Sequence, residues 1–170
     1  MGENRIVNIA ALAMRQIGNG KGFSASVGQA GPQIGSVGLG CSLIVVPPGK
    51  SACPLHRHHI WHELFFVLEG EGVTRLDGET LPIRAGDIIA APAGKEAHQI
   101  INTGSGELRY LGFSTDGPVD IIDYPDSGKV SVEAVKVENG AFVPTIEHFG
   151  RVTAADYYDG EDFAGAEEKS

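Results

Sequence analysis

Apolar and polar positions alternate with a period of two through much of the chain, which predicts short β-strands joined by tight turns. From Ser36 onward, Val37, Leu39, Cys41, Leu43 and Val45 take one parity, and Gly38, Gly40, Ser42, Ile44 and Val46 take the other. This reads as a long strand, closed by Pro47, Pro48 and Gly49, which no strand continues through. In the next apolar run Glu63, Phe65 and Val67 share a face, and Leu64, Phe66 and Leu68 share the opposite one. Val73 to Asp77 and Glu79 to Ile83 flank Asp77-Gly78, a pair that favours a two-residue hairpin turn. Ile88 to Ala91, His98 to Asn102 and Leu108 to Ser114 continue the series, with Pro92 and Gly94 turning the chain before His98. The chain between Gly70 and Gly86 is just long enough for the hairpin, so the segments on either side are expected to fold together.

Composition agrees with an all-β domain. The chain has 170 residues, long enough to bury a core without disulfide staples, and its 24 glycines and 9 prolines are dispersed among the expected turns. A formal charge of -9 disfavours nucleic acid and anionic membrane surfaces, both of which it would repel. No apolar stretch has the length needed to span a bilayer, Met1 to Arg5 is polar, and only Cys41 and Cys53 carry thiols. A reduced, cytoplasmic protein is the expectation.

Chemistry concentrates where His56, His58, His59 and His62 precede Glu63. On an extended strand His56 and His58 point one way and Arg57 the other, so the two imidazoles form half of a metal site. A short turn into the strand that begins at Glu63 would bring its carboxylate beside them. His62 has the opposite parity to Glu63, and His59 breaks the alternating pair, so both are expected to be exposed or hydrogen-bonding histidines. Cys53 is expected to be a loop or packing residue, and His148 to be unrelated to the site.

Gly49, His56-x-His58, Glu63 and Gly70 resemble the first motif of the cupin superfamily; Gly86, Pro92, Ala93, Gly94, His98 and Asn102 resemble the second. Each departs by one residue, between Gly49 and His56 and between Gly94 and His98, in turn-like sequence that leaves the register of the polar residues intact. The resemblance implies a double-stranded β-helix, or jelly-roll, barrel with a mononuclear divalent metal on His56, His58, Glu63 and His98. Three imidazoles and a carboxylate suit zinc, manganese, iron or nickel and suit calcium poorly. Such a centre favours an anionic or chelating oxygen ligand. Trp61, Phe65, Val67 and Ile100 are candidates for an apolar wall, three of them sharing faces with the ligands, although any barrel core also needs inward apolar residues.

On this reading residues 1–35 form an amino-terminal extension packed on the barrel, 36–115 the barrel core, and 116–170 a carboxy-terminal loop, strand and tail. Ile6 to Met14 is expected as a first strand or a short helix, and Ile121 to Val130 as an ordered loop entering a short strand from Val130 to Val137. The stretch from Tyr124 to Lys129 and the aromatic, acidic stretch from Asp156 to Glu161 resemble segments of small, mostly uncharacterised cupins. Tyr157 and Tyr158 are expected to anchor the tail on the barrel or on a partner subunit. The reaction stays open between a sugar or sugar-phosphate isomerase, a metal-dependent dioxygenase and a non-catalytic small-molecule binding module. A homodimer is expected from exposed strand edges and the resemblance together.

Overall fold

The computed structural model describes residues 5–138 and 141–161, and the described residues hold strands and two 3-10 turns but no α-helix. In chain order the strands are β1 (Arg15–Gly18), β2 (Ser24–Gln29), β3 (Leu39–Val46), β4 (Arg57–His58), β5 (Glu63–Glu69), β6 (Glu71–Leu76) and β7 (Glu79–Arg84). They continue as β8 (Ile88–Ala91), β9 (His98–Ile101), β10 (Leu108–Thr115), β11 (Val119–Tyr124), β12 (Lys129–Glu138) and β13 (Ala141–Gly150). A six-stranded sheet runs β1-β2-β3-β10-β5-β8, a three-stranded sheet β7-β6-β9, and a four-stranded sheet β13-β12-β11-β4.

The first two sheets enclose the core. Ile44 and Val46 of β3, Phe65 and Val67 of β5, Ile89 and Ala91 of β8 and Tyr110 of β10 point inward to meet Ile83 of β7 and Ile100 of β9. Their alternate spacing is the period-two pattern of the sequence made physical, and burying each large apolar side chain contributes about 1.5–3 kcal/mol. Glu63 has the same parity as Phe65 and Val67, so the force that buries those two also turns Glu63 inward at the start of β5. This is a jelly-roll barrel of the expected kind.

The amino-terminal stretch does more than lie on the barrel. Its apolar segment forms a 3-10 turn, Ile9–Ala11, capped by the Asn8 side chain, and the residues after it supply β1 and β2. β2 pairs with β3 from Ser26↔Val45 to Gln29↔Ser42 and so extends the sheet. Leu12 and Val7 meanwhile pack on the outer face of β3 against Leu43 and Val45. That cover explains why the last four residues of β3 are buried on both parities, which an alternating pattern alone does not predict.

The carboxy-terminal half differs further from expectation. The loop expected from Ile121 begins instead inside β11, which pairs with β12 from Val119↔Ala134 to Tyr124↔Lys129 and with β4 at Ile122↔His58. The strand is disguised because its inward positions are Asp120 and Ile122, a carboxylate taking a place where an apolar residue is expected. β12 is longer than the expected strand and pairs with β13, which the sequence did not announce: Val143 to Gly150 is mostly exposed, contains Pro144 and shows no buried parity. Tyr157 and Tyr158 are exposed and pack edge to face on each other. The final residues, 162–170, lie outside those described. No helix among the described residues is long and apolar enough to cross a membrane.

Candidate metal centre

Three elements converge at one end of the barrel. His56 precedes β4 and forms an isolated antiparallel bridge with His98 at the start of β9: His56 N donates to His98 O at 3.1 Å, and His98 N donates to His56 O at 2.8 Å. Their rings stand 4.4 Å apart between centroids. Glu63 enters from β5, and its Oε2 lies 2.9 Å from His98 Nε2, 3.3 Å from His58 Nε2 and 3.9 Å from His56 Nε2. His56, Glu63 and His98 each offer one ligand atom, all within 4.8 Å of one another; His58 falls outside that tighter set while still touching the carboxylate.

The donor set fits a borderline divalent cation. His98 Nε2 and Glu63 Oε2 are buried and close, yet neither has a partner in hydrogen-bond geometry. Their approach sets two potential ligand atoms side by side, and two orphaned buried polar atoms cost free energy that a cation would recover. Tautomers agree. His56 Nδ1 lies 2.9 Å from Pro54 O, a carbonyl that can only accept, so the proton sits on Nδ1 and Nε2 is free to ligate.

Electrostatics keep the site ready. Burial, then the neighbouring His98 imidazole, lowers His56 to about 4, so that ring is neutral at physiological pH. Burial works to raise the Glu63 carboxyl, but the neighbouring His98, His58 and His56 rings prevail and leave it below its ordinary value. Cys53 keeps an exposed edge, but dense packing and then the charge on Glu63 push its thiol up to about 12. It is no thiolate at neutral pH, and its place is in the exposed loop before β4, the loop alternative of the expectation.

The other expected site residues separate into two groups. Trp61 stacks on His58 with ring planes 8° apart and centroids 6.1 Å apart, and the Phe65 ring lies 5.4 Å from that of His98. Val67 and Ile100 are 0% and 5% exposed and belong to the packed core. His59 and His62 are held elsewhere, His59 Nε2 by Asp123 Oδ1 at 2.9 Å and His62 Nδ1 by the Ala93 amide at 3.1 Å. Arg57 points away as parity predicts and grips Asp123 through Nε at 2.8 Å and Nη2 at 3.1 Å.

Two residues beside the histidines escaped the sequence reading. Tyr124 lies over His56 with centroids 6.2 Å apart. Asp120 is fully buried and its carboxylate meets His58 Nδ1 while also accepting from the amides of Ile60 at 3.1 Å and Ile121 at 2.8 Å. The available signal was an acid sharing parity with Ile122 between apolar neighbours, but its partner lies 62 residues away.

Comparison with known proteins places the barrel. Residues 42–114 match the family model described as Cupin domain, so the barrel carries a cupin domain. It is 42% identical over 66 residues to an oxalate-binding protein of Thermotoga maritima, covering 39% of this chain and 53% of that one. An uncharacterized protein of Methanocaldococcus jannaschii is 37% identical over 67 residues, covering 39% of this chain and 52% of the relative. Each match thus spans about half of the curated relative. Among solved structures, a proposed sugar phosphate isomerase of Acidithiobacillus ferrooxidans superposes with a TM-score of 0.69 at 27% identity, covering 81% of this chain and 86% of that one. A predicted oxalate decarboxylase of Thermotoga maritima gives 0.57 at 27% identity, covering 65% and 97%.

Proposed function

We propose that the protein binds one divalent transition metal (zinc, manganese, iron or nickel) through His56, His58, Glu63 and His98, and uses it to hold a small oxygen-rich molecule. The observation that carries this reading is the approach of three imidazoles to one carboxylate oxygen that has no hydrogen-bond partner. A metal bound there supplies Lewis-acid polarisation of a carbonyl or carboxylate oxygen, or redox chemistry where the ion permits it. The chain's own part is to hold Nε2 of His56 unprotonated, to keep Glu63 ionised, and to wall the centre with Phe65 and Trp61. The likeness to an oxalate-binding protein and to a proposed sugar phosphate isomerase supports a small ligand rich in oxygen.

Within that class a phosphate clamp would not come from the arginines, since Arg57, beside the histidines, is committed bidentately to Asp123 and Arg75 to Asp126. Lys129, whose Nζ lies 5.1 Å from the centre of the Tyr124 ring over His56, is the cation that would have to supply one. Two unpaired thiols support a reducing, cytoplasmic setting. Leu39, Leu64 and Ile88, exposed on the outer face of the six-stranded sheet, support the expected homodimer, which sedimentation at graded concentrations tests. The proposed division is an amino-terminal extension over 1–35, whose strands β1 and β2 join the sheet of the barrel, a barrel core over 36–115, and a carboxy-terminal extension over 116–170, whose strand β11 lies beside the centre.

Metal analysis of protein purified without an affinity tag tests the centre. Screens for oxygen uptake and for aldose-ketose conversion then separate dioxygenase, isomerase and binding module. Near-stoichiometric zinc, manganese, iron or nickel is expected; metal-free protein that takes up none of them overturns the proposal.

A further inference from the structure

We propose that Asp120 is a positioning residue of this centre, fixing His58 as the Nδ1–H tautomer with Nε2 turned to the ion; the inference rests on the metal-binding reading above. The chemistry of Asp120 leaves little freedom. Its Oδ1 accepts two backbone N–H donors, from Ile60 and Ile121, and its Oδ2 faces His58 Nδ1. The side chain is fully buried, so water does not compete for these oxygens. Backbone amides can only donate, so Oδ1 is the acceptor for both of them, and Oδ2 is left as the acceptor facing His58 Nδ1. The proton between Oδ2 and Nδ1 therefore belongs to the imidazole, and the lone pair of His58 is on Nε2, the atom 3.3 Å from Glu63.

The ring is held from two further directions. Trp61 lies parallel to it, and the backbone of β4 is paired to β11 at His58↔Ile122. Asp120 belongs to β11, in the carboxy-terminal sheet, whereas His56, Glu63 and His98 belong to the barrel. The contact thus ties metal occupancy to docking of that sheet. It also sets the charge of the centre. A divalent ion with Glu63 alone carries a net charge of about +1, and the buried charge of Asp120, delivered through His58, brings the assembly close to neutrality.

Asp120→Asn keeps the shape of the side chain and the acceptor for the two amides while removing the charge. Relative to wild type it is expected to weaken zinc and manganese binding by about 10- to 100-fold in competition with a chromophoric chelator. Asp123→Asn serves as control, since it weakens the side-chain contacts of Arg57 and His59 with β11 without touching His58, and it should leave metal affinity within about twofold. Nitrogen-15 shifts of the imidazoles in metal-free wild type are expected to show His58 protonated at Nδ1. This second readout stands even if Asp120→Asn fails to fold. His58 protonated at Nε2 in the wild type, or Asp120→Asn binding metal as tightly as wild type, overturns the inference alone. Wild-type protein that takes up no metal overturns the proposed function and this inference together.

Discussion

His56 and His98 face each other as a directly hydrogen-bonded pair, each donating its amide to the other's carbonyl. They lie 42 residues apart, and this one bridge sets the spacing of their rings. Side-chain direction then follows from backbone register, not from the long loops between them. His98→Ala removes a ring that no other histidine can replace, because His59 and His62 are held by Asp123 and Ala93. Metal affinity is expected to fall by more than about 100-fold, beyond the loss typical of a residue behind the ligands. His148→Ala, on the exposed part of β13, should leave it unchanged. Titration against a competing chelator checks both.

Asn102 belongs to the second motif, yet it acts on the fold and not on the ion. It is fully buried, its amide donates to Val46 O and Gly106 O at 2.8 Å each, and its Oδ1 accepts from Gly104 N at 2.9 Å. The side chain thereby closes the turn between β9 and β10 against the end of β3. Asn102→Ala removes the partner of the buried Val46 carbonyl, while Gly104 N and Gly106 O lie at a more exposed turn that water reaches, so the cost is roughly 1–3 kcal/mol for the one group left unsatisfied. Urea denaturation should show a loss of about 1–3 kcal/mol, with metal affinity of the folded fraction retained.

How much of this was legible in the chain depends on whether a residue's partner is local. Glu63, Phe65 and Val67 share a face by simple alternation, and that alternation places Glu63 correctly without any knowledge of the barrel. The two motif segments likewise announce His56, His58 and His98. Asp120 and Tyr124 could not be found this way, since each earns its place from β4 or His56, far off in the chain. β13 was invisible for a different reason: its exposed residues carry no burial signal, and only pairing with β12 defines it. The doubly buried end of β3 is a third case, where cover from Leu12 hides the expected alternation.

The Arg57–Asp123 pair fastens the carboxy-terminal sheet to β4 and gives stability a dependence on acid. Burial tends to raise the Asp123 carboxyl, but the hydrogen bonds and charge of Arg57, with help from His59, hold it below its ordinary 3.8. A group whose folded value is depressed contributes stability that is fully present above the unfolded value and lost as pH falls through the folded one. Wild type should therefore exceed Asp123→Asn in stability by about 1 kcal/mol at neutral pH. The gap should begin to close below about pH 4 and disappear in stronger acid. Denaturant midpoints of the two proteins across that range check the sign.

Gly70 joins β5, which carries Glu63, to β6, which pairs with β9 and so with His98. Its φ of +86° lies in the left-handed region, and a Cβ there would sit 2.4 Å from Glu107 O and 3.0 Å from Leu108 Cα. Both obstacles are backbone, so neither a rotamer change nor a small side-chain shift relieves them. Gly70→Ala therefore meets conformational strain and steric overlap together, where strain alone costs about 1 kcal/mol or more. Relief requires β10 to move away from the β5–β6 turn, and β10 is hydrogen-bonded to β5 as far as Ser114↔Glu63. The substitution should lower stability by about 2–4 kcal/mol in urea and weaken metal binding as well. By contrast, Gly78→Ala in the exposed hairpin turn has a similar φ of +90° but nothing near its Cβ. It should cost only the conformational part, and the difference between the two variants measures how tightly β10 is held against the strand that presents Glu63.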